Sequence, residues 1–182
     1  MLVIPSSPTD GAQNNLITNL SVSLTRANTS SIGIQQTTTG SPTDPSGTNS
    51  GNHYYNLQVT NCYAGVSLAG NATYFDANCE VGGGYSVIGG NVLGDIGNGT
   101  LQTFGVRAIN QRDLKVFDTE VRNIQGTATG LVDGIVIDNS GASSVSSGVI
   151  SVYNNSVHDL NNTSTPRRAA WPGSGSTSPP TR

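Results

Sequence analysis

Asp118-Thr-Glu-Val-Arg-Asn-Ile124 and Asn154-Asn-Ser-Val-His-Asp-Leu160 align without a gap. Three further stretches fall on the same seven positions: Asn14-Asn-Leu-Ile-Thr-Asn-Leu20, Asn56-Leu-Gln-Val-Thr-Asn-Cys62 and Gly90-Asn-Val-Leu-Gly-Asp-Ile96. The fourth position is aliphatic in each (Ile17, Val59, Leu93, Val121, Val157). The sixth is Asn or Asp (Asn19, Asn61, Asp95, Asn123, Asp159), and the seventh is apolar (Leu20, Cys62, Ile96, Ile124, Leu160). Recurrence at intervals of a few tens of residues is the mark of a stacked repeat, in which one unit cannot bury its own apolar face.

A second element follows four of these stretches: Gly33-Ile-Gln, Gly65-Val-Ser-Leu, Gly105-Val-Arg-Ala-Ile and Gly134-Ile-Val-Ile. Apolar and polar residues alternate there with the period of a strand. The leading glycine predicts a bend or a backbone position that needs positive φ. Helical spacing of apolar residues is nearly absent, and Gly, Asn, Ser and Thr punctuate the chain. The expected class is therefore all-β, with strands stacked at about 4.8 Å. The sixth-position ladder of Asn19, Asn61, Asp95, Asn123 and Asp159 is expected in tight turns, where short polar side chains bond to backbone and tolerate left-handed geometry.

The repeat spans residues 13–162, after an irregular lead-in over 1–12. Unequal spacing puts insertions near 37–51 and 140–148, which a solenoid tolerates at its turns. Residues 163–182, rich in Pro, Gly and Ser, read as a flexible tail.

Val152-Tyr-Asn-Asn-Ser-Val-His-Asp-Leu160, with Asp133-Gly-Ile-Val-Ile137 before it, resembles the right-handed parallel β-helix repeat of the pectin-lyase-like superfamily. More narrowly, the chain resembles the repeat regions of secreted bacterial surface proteins. The resemblance covers about residues 13–162. It implies a fragment of a longer single-stranded solenoid, extracellular or at the cell surface, with a structural or adhesive role and polysaccharide or a neighbouring cell as partner. The superfamily also holds polysaccharide lyases, glycoside hydrolases and phage spikes, so fold alone does not choose among them.

Charge narrows the partners. Eight Lys and Arg against eleven Asp and Glu give a net charge of −3, and the basic residues are scattered. A phosphate-binding face needs them clustered, so nucleic acid is not an expected partner. Membrane insertion is not expected either, because no apolar run is long enough.

Candidate chemistry rests on carboxylates. Asp118 and Glu120, two apart on an expected strand, would share a face, with Asp133 one strand later. Such a group would suit a lyase or hydrolase acting on acidic polysaccharide. Against it, Asp118 stands where other copies carry Asn, and Glu120 alternates with Val121 as on a solvated strand face. The catalytic Asn-x-Asp, Asp-Asp, Gly-His-Gly and Arg-Ile-Lys set of the polygalacturonases has no counterpart in the sequence. No cofactor is expected, and no metal: His53 and His158 lack ligand-spaced partners. Cys62 and Cys79 are either a disulfide pair or two small inward residues. Tyr55, Phe117 and Tyr153 share the position before the first of the seven and predict an aromatic ladder that is structural rather than sugar-binding.

Overall fold

The computed structural model describes residues 1–83, 91–99, 102–126, 131–140 and 148–162. Its strands, in chain order, are β1 (Leu2–Val3), β2 (Leu16–Thr18), β3 (Ser21–Ser23), β4 (Ile32–Thr37), β5 (His53–Tyr55), β6 (Gln58–Thr60), β7 (Ala64–Ala69), β8 (Asp76–Ala77) and β9 (Glu80–Gly82). They continue with β10 (Asn91–Gly99), β11 (Thr103–Ile109), β12 (Gln111–Arg112), β13 (Lys115–Phe117), β14 (Thr119–Gly126), β15 (Val132–Asp138), β16 (Ser151–Tyr153) and β17 (Ser156–Asn162). Among the described residues the one helical turn is a 3-10 turn at Pro45–Gly47, capped by Asp44.

The strands fall into three five-stranded sheets. The first holds β1, β4, β7, β11 and β15; the second β2, β5, β9, β13 and β16; the third β3, β6, β10, β14 and β17. A short fourth sheet pairs β8 with β12. Every strand pairing is parallel. The chain visits the second, third and first sheets in turn and then begins again, each visit laying a strand beside the one from the previous circuit. This all-β, all-parallel course is compatible with a solenoid. The lead-in contributes to it, since β1 pairs with β4.

Backbone register sets residues of like kind in columns along the stack. In the third sheet Val22, Val59, Leu93, Val121 and Val157 are in register. In the second, Ile17, Tyr54, Val81, Val116 and Val152 are in register. In the first, Ile34, Val66, Val106 and Ile135 are in register. Most of these residues belong to one buried core.

The first repeat copy therefore sits five residues from its expected register. Ser21 pairs with Gln58, so Asn19 lies level with Asn56 rather than Asn61, and Val22 takes the aliphatic place assigned to Ile17. The reason is geometric. Left-handed corners at Asn14 and Asn19 bracket β2, while those at Asn56 and Asn61 bracket β6. Both sides of the coil are five residues long, so a gap-free alignment fits either one.

The four strand-leading glycines have a different role from the expected one. None of Gly33, Gly65, Gly105 and Gly134 has positive φ. They sit inside strands of the first sheet and face the third sheet at very close range. An added Cβ would meet a Cγ of Val59 at 2.2 Å from Gly33, of Val121 at 2.3 Å from Gly105 and of Val157 at 2.3 Å from Gly134. At Gly65 it would meet the Gly105 carbonyl at 2.3 Å. The glycine column and the aliphatic column thus interlock, which fixes the distance between two sheets.

Candidate functional site

The corners come first, because they orient everything between them. Among the described residues, eleven that are not glycine have positive φ, and all of these are Asn or Asp. Asn61, Asn123 and Asp159 adopt φ of 51°, 50° and 56° at equivalent points. The Asn61 amide donates to the Leu24 carbonyl of the preceding circuit at 2.7 Å. Asn19, Asn56, Asp118 and Asn154 occupy the corner before the third sheet. There the Asn56 amide donates to the Asn19 side-chain oxygen. Asp95 lies in β10, with its side chain outside the described residues.

The expected carboxylate grouping is not assembled. Asp118 is a corner residue with φ of 45°, between β13 and β14, so it does not share a strand face with Glu120. Glu120 projects from β14 and accepts from Arg122 and from the His158 ring. Asp133 stands in another sheet, on β15, where its Oδ2 accepts from Gln102 Nε2 at 2.8 Å. Each has its own local partner or backbone role. His53 and His158 are on different sheets, and no group of three metal-ligating side chains occurs among the described residues.

His158 lies between two carboxylates: Nδ1 is 2.8 Å from Asp159 and Nε2 3.1 Å from Glu120. Hydrogen bonds to Asp159 and then Glu120 raise its pKa above the ordinary value.

The outer face of the second sheet carries the aromatic column. Phe117 and Tyr153 stack with centroids 5.4 Å apart and planes 9° from parallel, and Tyr55 meets Phe117 edge-on at 6.1 Å. Gly82 stands between Tyr55 and Phe117 in register. A Cβ there would enter the Phe117 ring at 2.5 Å, so this glycine makes the room for the ladder. Beside the rings Lys115 bonds Glu80 at 2.8 Å, and the Tyr55 hydroxyl donates to the same carboxylate. Burial raises the Glu80 pKa, but hydrogen bonds from Lys115 and Tyr55 outweigh it and leave the pKa below the usual value. A shallow depression lined by Asn78, Glu80, Asp113, Lys115, Val149 and Ser151 adjoins this row.

Two features gave no periodic signal in the sequence. Arg26 reaches along the stack, donating through Nε to the Gly97 carbonyl at 2.6 Å and through Nη2 to the Ile96 and Asn123 carbonyls. It ties an early corner to two later circuits. The second is a polar cluster inside the coil. Gln36, Asn49, Asn52 and Asp76 are fully buried there, with Tyr54 and Cys79. The residues in register with Gln36 in the other circuits are Val3, Leu68, Ala108 and Ile137. One polar residue on an otherwise apolar column leaves no period to detect. Cys62 and Cys79 are both buried and not joined by a disulfide.

Comparison with protein families, curated proteins and solved structures finds no match to this chain.

Proposed function

We propose that this chain is a non-catalytic structural or adhesive segment of a secreted, cell-surface protein, coiled as a right-handed parallel β-helix of the pectin-lyase-like kind. One observation carries the reading. Each residue that a catalytic site would need is engaged on its own, in a corner or in a local side-chain contact. Asp118 makes a corner, Glu120 holds neighbouring side chains, and Asp133 is bound by Gln102 on a different sheet. A glycosidase needs two carboxylates flanking one bond. Here the three candidates are each spoken for separately.

The contact surface in this proposal is the outer face of the second sheet, and its partner is polysaccharide. Tyr153 is half-exposed at the end of the aromatic column, with Lys115 and Glu80 beside the ladder as polar groups. An aromatic edge next to fixed donors and acceptors is the composition that recognises sugars. A glycan array and whole-cell binding with the full chain test this. Binding weakened several-fold by Tyr153→Ala supports an adhesive role. Absence of binding to both sets that role aside and leaves a spacer. Release of reducing ends or unsaturated products from acidic polysaccharide would overturn the non-catalytic reading.

A further inference from the structure

The buried cluster places a thiol against a polarised amide. Cys79 Sγ lies 3.6 Å from Gln36 Nε2. The Gln36 carbonyl oxygen accepts two hydrogen bonds, from the Tyr54 hydroxyl at 2.8 Å and from Asn52 Nδ2 at 3.0 Å. Gln36 Nε2 also donates to Asp76 Oδ2 at 2.8 Å and to the Asn49 carbonyl at 2.9 Å. All of these side chains are withdrawn from solvent. A nucleophile, a carbonyl held by two donors and a carboxyl at the leaving nitrogen are the parts of an acyl transfer.

We propose that Cys79 and Gln36 form an intrachain thioester with release of ammonia. The sulfur adds to Cδ of Gln36, and the negative charge that develops on Oε1 is held by Tyr54 and Asn52. The carbon–nitrogen bond then breaks, with its electron pair leaving on nitrogen. Asp76 hands a proton to that nitrogen and is restored by the proton of the thiol. Thiol and carboxamide become thioester and ammonia, with no oxidant or reductant involved.

Burial raises the Asp76 pKa, and this favours the protonated carboxyl the step uses. Burial also pushes the Cys79 thiol up to about 11, so thiolate is scarce at neutral pH. The reaction is therefore a slow, once-per-chain maturation, driven by proximity. Its product joins β4 to the residue before β9, across a separation of 43 residues. Burial shields the bond from water, so the thioester ties circuits together and is not a surface warhead.

The test is the intact mass of the full chain in acidic denaturant, with thiol titration and a peptide map. The expected chain is lighter than its sequence by one ammonia and titrates for one thiol, Cys62. Its map contains a Gln36–Cys79 cross-linked peptide that hydroxylamine opens. Cys62→Ser keeps the mass deficit and Cys79→Ala abolishes it. A mass equal to the sequence with two titratable thiols overturns the proposal. So does a deficit that survives in Cys79→Ala, since it then belongs to another residue. If that variant fails to fold, the peptide map of the unaltered chain decides alone.

Discussion

A left-handed backbone costs an ordinary L-residue about 1–2 kcal/mol, and Asn, Asp and Gly visit it most readily. The corners of this coil are built on that exception. Asn56 has φ of 49° and its amide reaches Asn19 on the previous circuit. Asn56→Ala should therefore lower unfolding stability by about 1–2 kcal/mol, while Asn56→Gly should lose less because it keeps the backbone freedom. Chemical denaturation of the two variants gives the comparison, and equal losses would mean that the corner is not strained. The glycine column invites a sharper test. Gly105→Ala would drive a methyl into Val121 and the Gly134 carbonyl, a clash worth about 1–3 kcal/mol. Pairing it with Val121→Ala should recover part of that loss, so the double-mutant cycle shows coupling. Additive losses would place the two residues apart. The sequence marks both glycines and aliphatics as repeat positions. It does not show that one fills the space the other leaves, because that relation spans two sheets.

Strand identity was more legible than strand register. The repeat in 118–124 and 154–160 is the paired β14 and β17, with Val121 opposite Val157 and Ile124 opposite Leu160. The copy at 14–20 slipped because consecutive sides of the coil have the same length and the same Asn at each end. Hydrophobic pattern alone cannot tell one such side from the next. The third-sheet pairing of β14 with β17 carries a titratable contact. His158 sits between Asp159 and Glu120, with Arg122 also on Glu120. Its folded pKa lies above its ordinary 6.5. The contact therefore stabilises fully below about 6.5 and fades as pH rises through the raised folded value. An NMR titration should put the His158 midpoint above 6.5, and Glu120→Gln should lower it. A midpoint at or below 6.5 would remove this contact from the account. Glu80, on the second sheet, works in the opposite direction, because its depressed pKa gives a contribution lost only in acid.

For the molecule as a whole, a stack of circuits has a core in the middle and apolar ends. Val152, Val157 and Leu160 in the last described strands are exposed, while their column neighbours Val116, Val121 and Ile124 are fully buried. Stability in such a stack is a sum of neighbour interfaces, so the end circuits should open first. Amides of β17 should exchange with solvent well before those of β10 and β14; uniform exchange would indicate a single cooperative unit. The all-β class and the parallel pairing of strands were visible in composition and repeat. The buried cluster around Asp76 was not, since Gln36 lies on a column that is otherwise apolar and Asp76 is in register with Gln111 in a sheet of two strands, which leaves no period to detect. The carboxylates suggested for catalysis could be placed only once their sheets were known. Everything proposed for this chain depends on the stack itself, in which Ser21, Gln58, Val92, Glu120 and Ser156 succeed one another in register. Spin labels on Ser21→Cys and Ser156→Cys, read by pulsed electron resonance, measure it directly. Four inter-strand steps predict a backbone separation of about 19 Å, falling to about 14 Å for Gln58→Cys with Ser156→Cys. Distances that do not scale with the number of circuits would contradict the stacked coil.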